Sequence, residues 1–156
     1  MNAREEFAVY ESPVRFDEDR VRAAAVYCSD GRFGDQVDDL LHHALGLPRY
    51  DRLAMPGGAA CLSHHFGGFF EQQAALRQLE FLIRAHKLGR VVLIAHENCA
   101  YYVEGLRVGL SELEGRQRED LAAGVERLRA LSRDVEVDVF YARTRGDRVC
   151  FESLEI

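Results

Sequence analysis

The sequence has almost no lysine, no long apolar run and no basic tract. Of its 20 basic residues, only Lys87 is a lysine, which nearly excludes covalent catalysis through a lysine amine. The mostly apolar stretches, such as 90–95, are far too short to span a bilayer, and the first residues, MNAREEF, lack the basic and apolar regions of an export signal. A net charge of −6 without a basic stripe is not typical of a protein that binds nucleic-acid phosphates. We therefore expect a soluble cytoplasmic protein with neither a membrane nor a nucleic-acid partner.

Length and composition indicate one folding unit. A chain of 156 residues with 47% hydrophobic residues has the size and apolar content of a single domain, which we expect to span 1–156. The four cysteines are Cys28, Cys61, Cys99 and Cys150, an even number that a secreted protein could pair in disulfides. In a cytoplasmic protein, metal binding or catalysis is the more typical use of cysteine.

The apolar patterning alternates between strands and helices. Five segments have the pattern of strands: 23–28, 50–55, 91–95, 135–141 and 149–154, the last after a turn at 145–147. Four have the pattern of helices: 35–45, 70–88, from Asn98 toward Leu110, and 121–131. The segment 61–68 is expected to be a loop. This order predicts an α/β fold with a mostly parallel sheet of four strands, an antiparallel C-terminal edge strand and helices packed around the sheet.

The longest predicted helix, 70–88, carries apolar residues on more than one of its faces. A helix that packs on the core through one apolar stripe needs fewer apolar residues than this. We expect part of this surface to be buried by another subunit of a homo-oligomer.

Two polar clusters follow predicted strands. Cys28-Ser29-Asp30-Gly31-Arg32 comes after the first strand, and His96-Glu97-Asn98-Cys99 comes after the strand 91–95. Ligands of parallel sheets bind beyond the carboxyl ends of the strands, where the strand order reverses. Two thiolates and one imidazole with a fourth position open are typical of a catalytic zinc site. We also expect Asn98 to cap the next helix, which would place Cys99 in its first turn, where the helix dipole favours a thiolate.

Asp30 and Arg32 belong to the same predicted turn as Cys28. A guanidinium beside the carboxylate would keep Asp30 ionised near a metal. Asp30 could then accept a proton or a hydrogen bond from metal-bound water, or occupy the open metal position itself. The two residues could also form a plain ion pair of the turn.

Other candidates have weaker support from the sequence. Cys61, His64 and His65 have a plausible ligand spacing, but they lie in one glycine-flanked loop with no strand to position them. The remaining candidates have structural explanations: His42 and His43 as surface residues of a helix, His86 as a partner of the helix dipole, and Cys150 as a strand residue. Four aromatic residues could either wall a small apolar pocket or serve packing or a subunit interface: Phe69, Phe70, Tyr101 and Tyr102.

The two clusters resemble the motifs of the β-class carbonic anhydrases. That family has Cys-x-Asp-x-Arg after its first strand and His-x-x-Cys after a later one, matched here by Cys28, Asp30, Arg32, His96 and Cys99. The resemblance covers most of the chain and implies that Cys28, His96 and Cys99 hold zinc. It further implies water or Asp30 as fourth ligand, with Arg32 holding Asp30 away from zinc in the active form. The strands that precede the two motifs should be neighbours, and dimers or larger assemblies are usual.

Some positions differ from the family pattern. Residues 55–59 read Met-Pro-Gly-Gly-Ala where Arg-Asn-Ala-Gly is usual, Gly31 replaces Ser or Ala, and Ala100 replaces a glycine.

From these residues we expect a zinc lyase that interconverts carbon dioxide and bicarbonate, with zinc-bound hydroxide as the nucleophile and Asp30 and Arg32 as catalytic residues. Two alternatives use the same site. One is a hydrolase of carbonyl sulfide or carbon disulfide, and the other is a non-catalytic zinc-binding or regulatory module in which Asp30 permanently closes the fourth position.

Overall fold

The computed structural model describes residues 9–64 and 69–156, which form one five-stranded sheet in the order β2-β1-β3-β4-β5. The first four strands are parallel, and β5 pairs antiparallel with β4. This arrangement confirms the predicted fold class. Within these residues, no helix is both long enough and apolar enough to cross a membrane. The strands are β1 (Ala23–Cys28), β2 (Asp51–Met55), β3 (Arg90–His96), β4 (Glu136–Arg145) and β5 (Arg148–Ser153).

The two central strands are buried on both faces. β1 reads AAAVYC and β3 reads RVVLIAH, and only Arg90 at the start of β3 is partly exposed. Such continuous apolar runs are typical of parallel strands that are covered by helices on both sides. β1 and β3 pair through Val26 and Leu93, so Cys28 and His96 end neighbouring strands at the same edge. The strand order also reverses between β1 and β3, which makes this edge the expected ligand site.

Helices cover both faces of the sheet. α1 (Gly34–Asp39) continues into a π-helical turn at Leu40–Ala44 and packs on one face, where its residues join a cluster with Val92 and Ile94. α2 (Phe69–Ala85) and α3 (Leu113–Leu131) pack on the other face, against Val91 and Leu93. Two short helical segments lie beside the site: a 3₁₀ helix at Gly58–Leu62 and a π-helical turn at Tyr101–Gly105.

Two local predictions were wrong. The start of the expected loop 61–68 belongs to the 3₁₀ helix Gly58–Leu62, and 65–68 lie outside the described residues. Asn98 does not cap a helix, because it has a left-handed φ of 52° in the turn after β3. The helical turn that follows ends at Gly105, well before Leu110, and Arg107 is also left-handed. Asparagine suits both a cap and a left-handed turn, so its residue type alone did not decide between them.

Candidate metal centre

The ends of β1 and β3 bring three metal-binding side chains together. Cys28 is the last residue of β1, His96 is the last residue of β3, and Cys99 follows after a short turn. One ligand atom from each residue lies within 4.8 Å of the other two, and the Sγ atoms of Cys28 and Cys99 are 3.8 Å apart. Within residues 9–64 and 69–156, no other set of three His, Cys, Asp or Glu side chains meets this distance criterion.

The His96 ring is oriented for a metal. Its Nδ1 lies 2.8 Å from the Glu97 carbonyl oxygen, and because a carbonyl can only accept, Nδ1 carries the proton. Nε2 is then the unprotonated nitrogen, and it is buried without a hydrogen-bond partner among the described residues. Burying an unpaired polar atom has a cost that a bound cation would remove. The ring of Phe33 packs against the imidazole with centroids 4.3 Å apart.

The two thiols share a proton unequally. The Cys99 thiol lies next to Cys28 and lowers its pKa against the opposing effect of burial; the His96 side chain and the backbone amides of Asp30 and Gly57 add to the lowering. The same contact, reinforced by burial, raises the pKa of Cys99. The contact therefore favours ionisation of one thiol of the pair over ionisation of both. A cation between them would favour the thiolate form of both, because opposite charge stabilises the ionised state.

Asp30 and Arg32 form a bidentate ion pair beside the three donors. Arg32 Nη2 lies 2.6 Å from Asp30 Oδ2, and Arg32 Nε lies 3.0 Å from Asp30 Oδ1. The backbone N–H of Arg32 also donates to Oδ1, at 3.1 Å. Hydrogen bonding from Arg32 lowers the pKa of Asp30 to about 2. The carboxylate is not a member of the three-donor group, and Arg32 engages both of its oxygens.

Helix α3 supports the end of β3, with His96, and the segment that follows it. Gln117 donates from Nε2 to the His96 carbonyl oxygen at 2.9 Å, and Tyr141 donates from its hydroxyl to Gln117 Oε1 at 2.8 Å. One turn further along α3, Asp120 accepts a hydrogen bond of 2.7 Å from the Tyr102 hydroxyl. Sequence reasoning missed Gln117, Asp120 and Tyr141. The available signal was the presence of polar residues within the buried stripe of α3.

A small cavity opens next to the Asp30 and Arg32 pair. It has a volume of about 180 Å³, and the Glu97 carboxylate on its wall is held by the backbone N–H and hydroxyl of Thr144. These contacts with Thr144 lower the pKa of Glu97. The lining residues are Arg32, Phe33, Glu97, Asn98, Thr144 and Val149.

The competing ligand set does not assemble among the described residues. Burial raises the pKa of Cys61 to about 12, so its thiol stays neutral. His64 is exposed and stacks near Phe69 at 6.4 Å, while His65 lies outside the described residues.

The other histidines and aromatic residues have structural partners. His43 is exposed and pairs with Asp39, and His42 is partly buried, as expected for the outer side of a helix. His86 binds Asp51 at 2.6 Å, so it contacts a strand residue and does not act on the helix dipole alone. Tyr102 is buried in packing, and Cys150 is half-buried on β5. Phe69 and Phe70 are exposed.

Fold and donor set together define a class: an α/β protein with a Cys-His-Cys group at the edge where a parallel sheet reverses its strand order. Residues 18–150 match a family model described as "Putative carbonic anhydrase". The chain therefore belongs to the β-class carbonic anhydrase family, as the two motifs suggest. No curated protein sequence matches it.

Solved structures support the fold. A β-carbonic anhydrase, isoform I, from the protozoan Trichomonas vaginalis has a TM-score of 0.55 at 13% identity, over 90% of this chain and 87% of that one. A carbonic anhydrase from Glaciozyma antarctica has a TM-score of 0.52 at 17% identity, over 83% of this chain and 80% of that one. At such identities the likeness shows the fold.

Proposed function

We propose that this protein catalyses the reversible hydration of carbon dioxide to bicarbonate, with zinc held by Cys28, His96 and Cys99. The observation that carries the proposal is the buried group of two thiols and an imidazole whose Nε2 has no hydrogen-bond partner within residues 9–64 and 69–156. Thiolate and imidazole are the donors that zinc prefers, and three protein ligands leave one position for a water molecule or substrate. Zinc in such a site lowers the pKa of water, so that a nucleophile is available near neutral pH.

The charge of the ligand set defines the task of Asp30. Cys28 and Cys99 together bring two negative charges, which oppose the loss of a proton from water in the site. Asp30, ionised by its contact with Arg32, accepts a hydrogen bond from that water and orients it. A carboxylate with a pKa of about 2 holds almost no proton at neutral pH, so Asp30 acts as an acceptor and the proton passes on to solvent.

Arg32 keeps the carboxylate in place. It binds both oxygens of Asp30, and this arrangement restrains the side chain from rotating toward the three donors. The adjacent cavity has apolar walls from Phe33 and Val149, which suit a small neutral substrate, and Asn98 and Arg32 provide polar groups for an anionic product.

The proposal is tested by stopped-flow measurement of carbon dioxide hydration with zinc-loaded protein. We expect hydration above the buffer rate, and its loss in Cys99→Ser, which removes a donor. Gln72→Leu is a matched control, because Gln72 is buried on α2 and donates to the Leu62 carbonyl, which lies outside the donor group. Protein that holds one zinc per chain and gives no hydration above buffer would overturn the proposed activity. In that case, turnover of carbonyl sulfide or carbon disulfide would indicate the hydrolase, and no turnover the non-catalytic module.

A further inference from the structure

Gln117 is a buried polar residue in the middle of an apolar helix face. Its side chain is 1% exposed on α3, and neighbouring buried positions of the helix are mostly apolar, such as Leu113 and Leu121. Both ends of its amide are used: Nε2 donates to the His96 carbonyl oxygen, and Oε1 accepts from the Tyr141 hydroxyl. Burying such an amide is unfavourable unless its NH₂ group and its oxygen both form hydrogen bonds. The two residues that bind it therefore indicate what Gln117 does.

The two partners give the amide a single orientation. The His96 carbonyl can only accept a hydrogen bond, so the NH₂ group of Gln117 has to face it. The amide oxygen then faces Tyr141, whose hydroxyl can donate. Tyr141 is itself fixed, because it is buried on β4 and pairs with Ala95, the residue before His96.

The hydrogen bond from Gln117 holds one particular peptide group. The His96 carbonyl belongs to the peptide that joins His96 to Glu97, and the N–H of the same peptide donates to the Ala142 carbonyl at 3.0 Å. Pairing of β3 with β1 ends at Leu93, three residues earlier, so β1 does not continue the ladder to this carbonyl. Gln117 on one side and Ala142 on the other therefore keep the plane of this peptide from rotating.

This peptide plane controls the imidazole. The next carbonyl along the chain, that of Glu97, accepts the proton on His96 Nδ1 at 2.8 Å. Rotation of the peptide between His96 and Glu97 would displace the Glu97 carbonyl and break this contact. Without this hydrogen bond, the proton of the neutral imidazole could lie on either ring nitrogen of His96.

We propose that Gln117 is a positioning residue for His96. By holding the His96 carbonyl, it maintains the tautomer with the proton on Nδ1 and keeps Nε2 directed at the thiols of Cys28 and Cys99. This inference rests on the proposed function in so far as His96 is a metal ligand. The tautomer itself is a property of the metal-free chain.

The main test is Gln117→Leu, which keeps the approximate volume and removes both hydrogen bonds. We expect zinc affinity, measured by competition with a chromophoric chelator, to fall about 10- to 100-fold, as is typical when a partner that orients a ligand is lost. In metal-free protein at a pH where histidine is neutral, we expect the ¹⁵N spectrum of the His96 ring to change from one tautomer to a mixture.

Gln72→Leu is the matched control. Gln72 is also 1% exposed and also donates from Nε2 to a backbone carbonyl, that of Leu62 at 3.1 Å, but it does not contact His96. We expect its zinc affinity to stay within about twofold of the parent and its His96 spectrum to stay unchanged. Equal changes in both variants would reduce the role of Gln117 to general packing and overturn the inference.

Tyr141→Phe is a second variant in case Gln117→Leu does not fold. It removes only the hydroxyl that orients the Gln117 amide, so a smaller loss of affinity and partial tautomer mixing are expected. A parent-like His96 spectrum and parent-like zinc affinity in this variant and in any folded Gln117→Leu protein would refute the positioning role. Failure of the parent to hydrate carbon dioxide would count against the proposed function only, since the ¹⁵N measurement needs neither zinc nor turnover.

Discussion

Gly58 lies directly against the backbone of Cys28. A β-carbon on Gly58 would be 3.0 Å from the Cys28 amide nitrogen and 3.1 Å from the Ile94 carbonyl oxygen, and Gly58 has a left-handed φ of 56°. Only glycine combines this conformation with so close an approach. The 3₁₀ helix that begins at Gly58 can therefore contact the ends of β1 and β3, next to two of the three metal donors.

Gly58→Ala should destabilise the fold by about 1–3 kcal/mol, because it adds a strained φ and a contact with backbone atoms that cannot move aside easily. The free energy of unfolding in urea measures the effect. Gly115→Ala is the control: Gly115 is on α3, a β-carbon there would meet nothing within 4 Å, and alanine favours the helix. If both variants were as stable as the parent, this result would contradict the close approach of Gly58 to the Cys28 backbone.

Metal content tests the ligand set. Elemental analysis should find about one zinc per chain, and Cys28→Ser or Cys99→Ser should remove most of it, because each takes away one of three donors. Cys61→Ser is the control, since Cys61 is buried with a raised pKa outside the three-donor group and should keep its zinc. Full retention in the first two variants together with loss in Cys61→Ser or His64→Ala would instead assign the metal to Cys61 or His64.

The strands and the two motifs were predictable because their signals are local. The uninterrupted apolar run at Ala23–Cys28 predicts a buried parallel strand with its bounds as observed, and the reversal of strand order then places Cys28 next to His96. The order of strands and helices was sufficient for the fold class. The single-domain organisation and the cytoplasmic location stay predictions.

The hydrogen bonds that hold the site residues in place were not predictable, because they join segments that are distant in the sequence. Gln117 is 21 residues from His96 in the chain, and their hydrogen bond exists only once α3 has packed over the end of β3. The left-handed turn at Asn98 also depends on the folded structure, because the path of the chain after β3, and not the residue type, determines this conformation. A polar residue in the buried stripe of a helix was the one visible sign of such a contact.

The exposed aromatic residues of α2 predict association of subunits. Phe70 and Phe81 are 82% and 62% exposed, which is unusual for large apolar side chains on one helix. We expect light scattering at micromolar concentration to give a dimer or a larger assembly, and Phe81→Glu to shift it toward the monomer. Leu110→Glu changes a similarly exposed apolar residue outside α2, at 68%, and should not alter the mass of the assembly. A strictly monomeric parent protein would contradict this prediction.

Arg32→Ala distinguishes an enzyme from a non-catalytic zinc protein. Loss of the guanidinium lets the pKa of Asp30 rise from about 2 toward its ordinary value of 3.8, which still leaves the carboxylate ionised at pH 7. Any effect at pH 7 therefore comes from movement of Asp30 and not from its protonation. A freed carboxylate can take the fourth metal position and exclude water, so carbon dioxide hydration should fall about 100-fold while zinc stays bound.

The control for Arg32→Ala is Arg145→Ala, because both side chains are mostly exposed, at 73% and 68%. Arg145 forms a loose ion pair with Glu152, with 3.8 Å between the nitrogen and the oxygen. It should keep the parent rate at matched zinc content. In a non-catalytic module with Asp30 already on the metal, Arg32→Ala would change little, and Asp30→Ala would weaken zinc retention. In the enzyme, Asp30→Ala should keep its zinc and lose rate, because Asp30 orients water without binding the metal. A hydration rate of Arg32→Ala equal to that of the parent, at equal zinc content, would refute the gating role of Arg32.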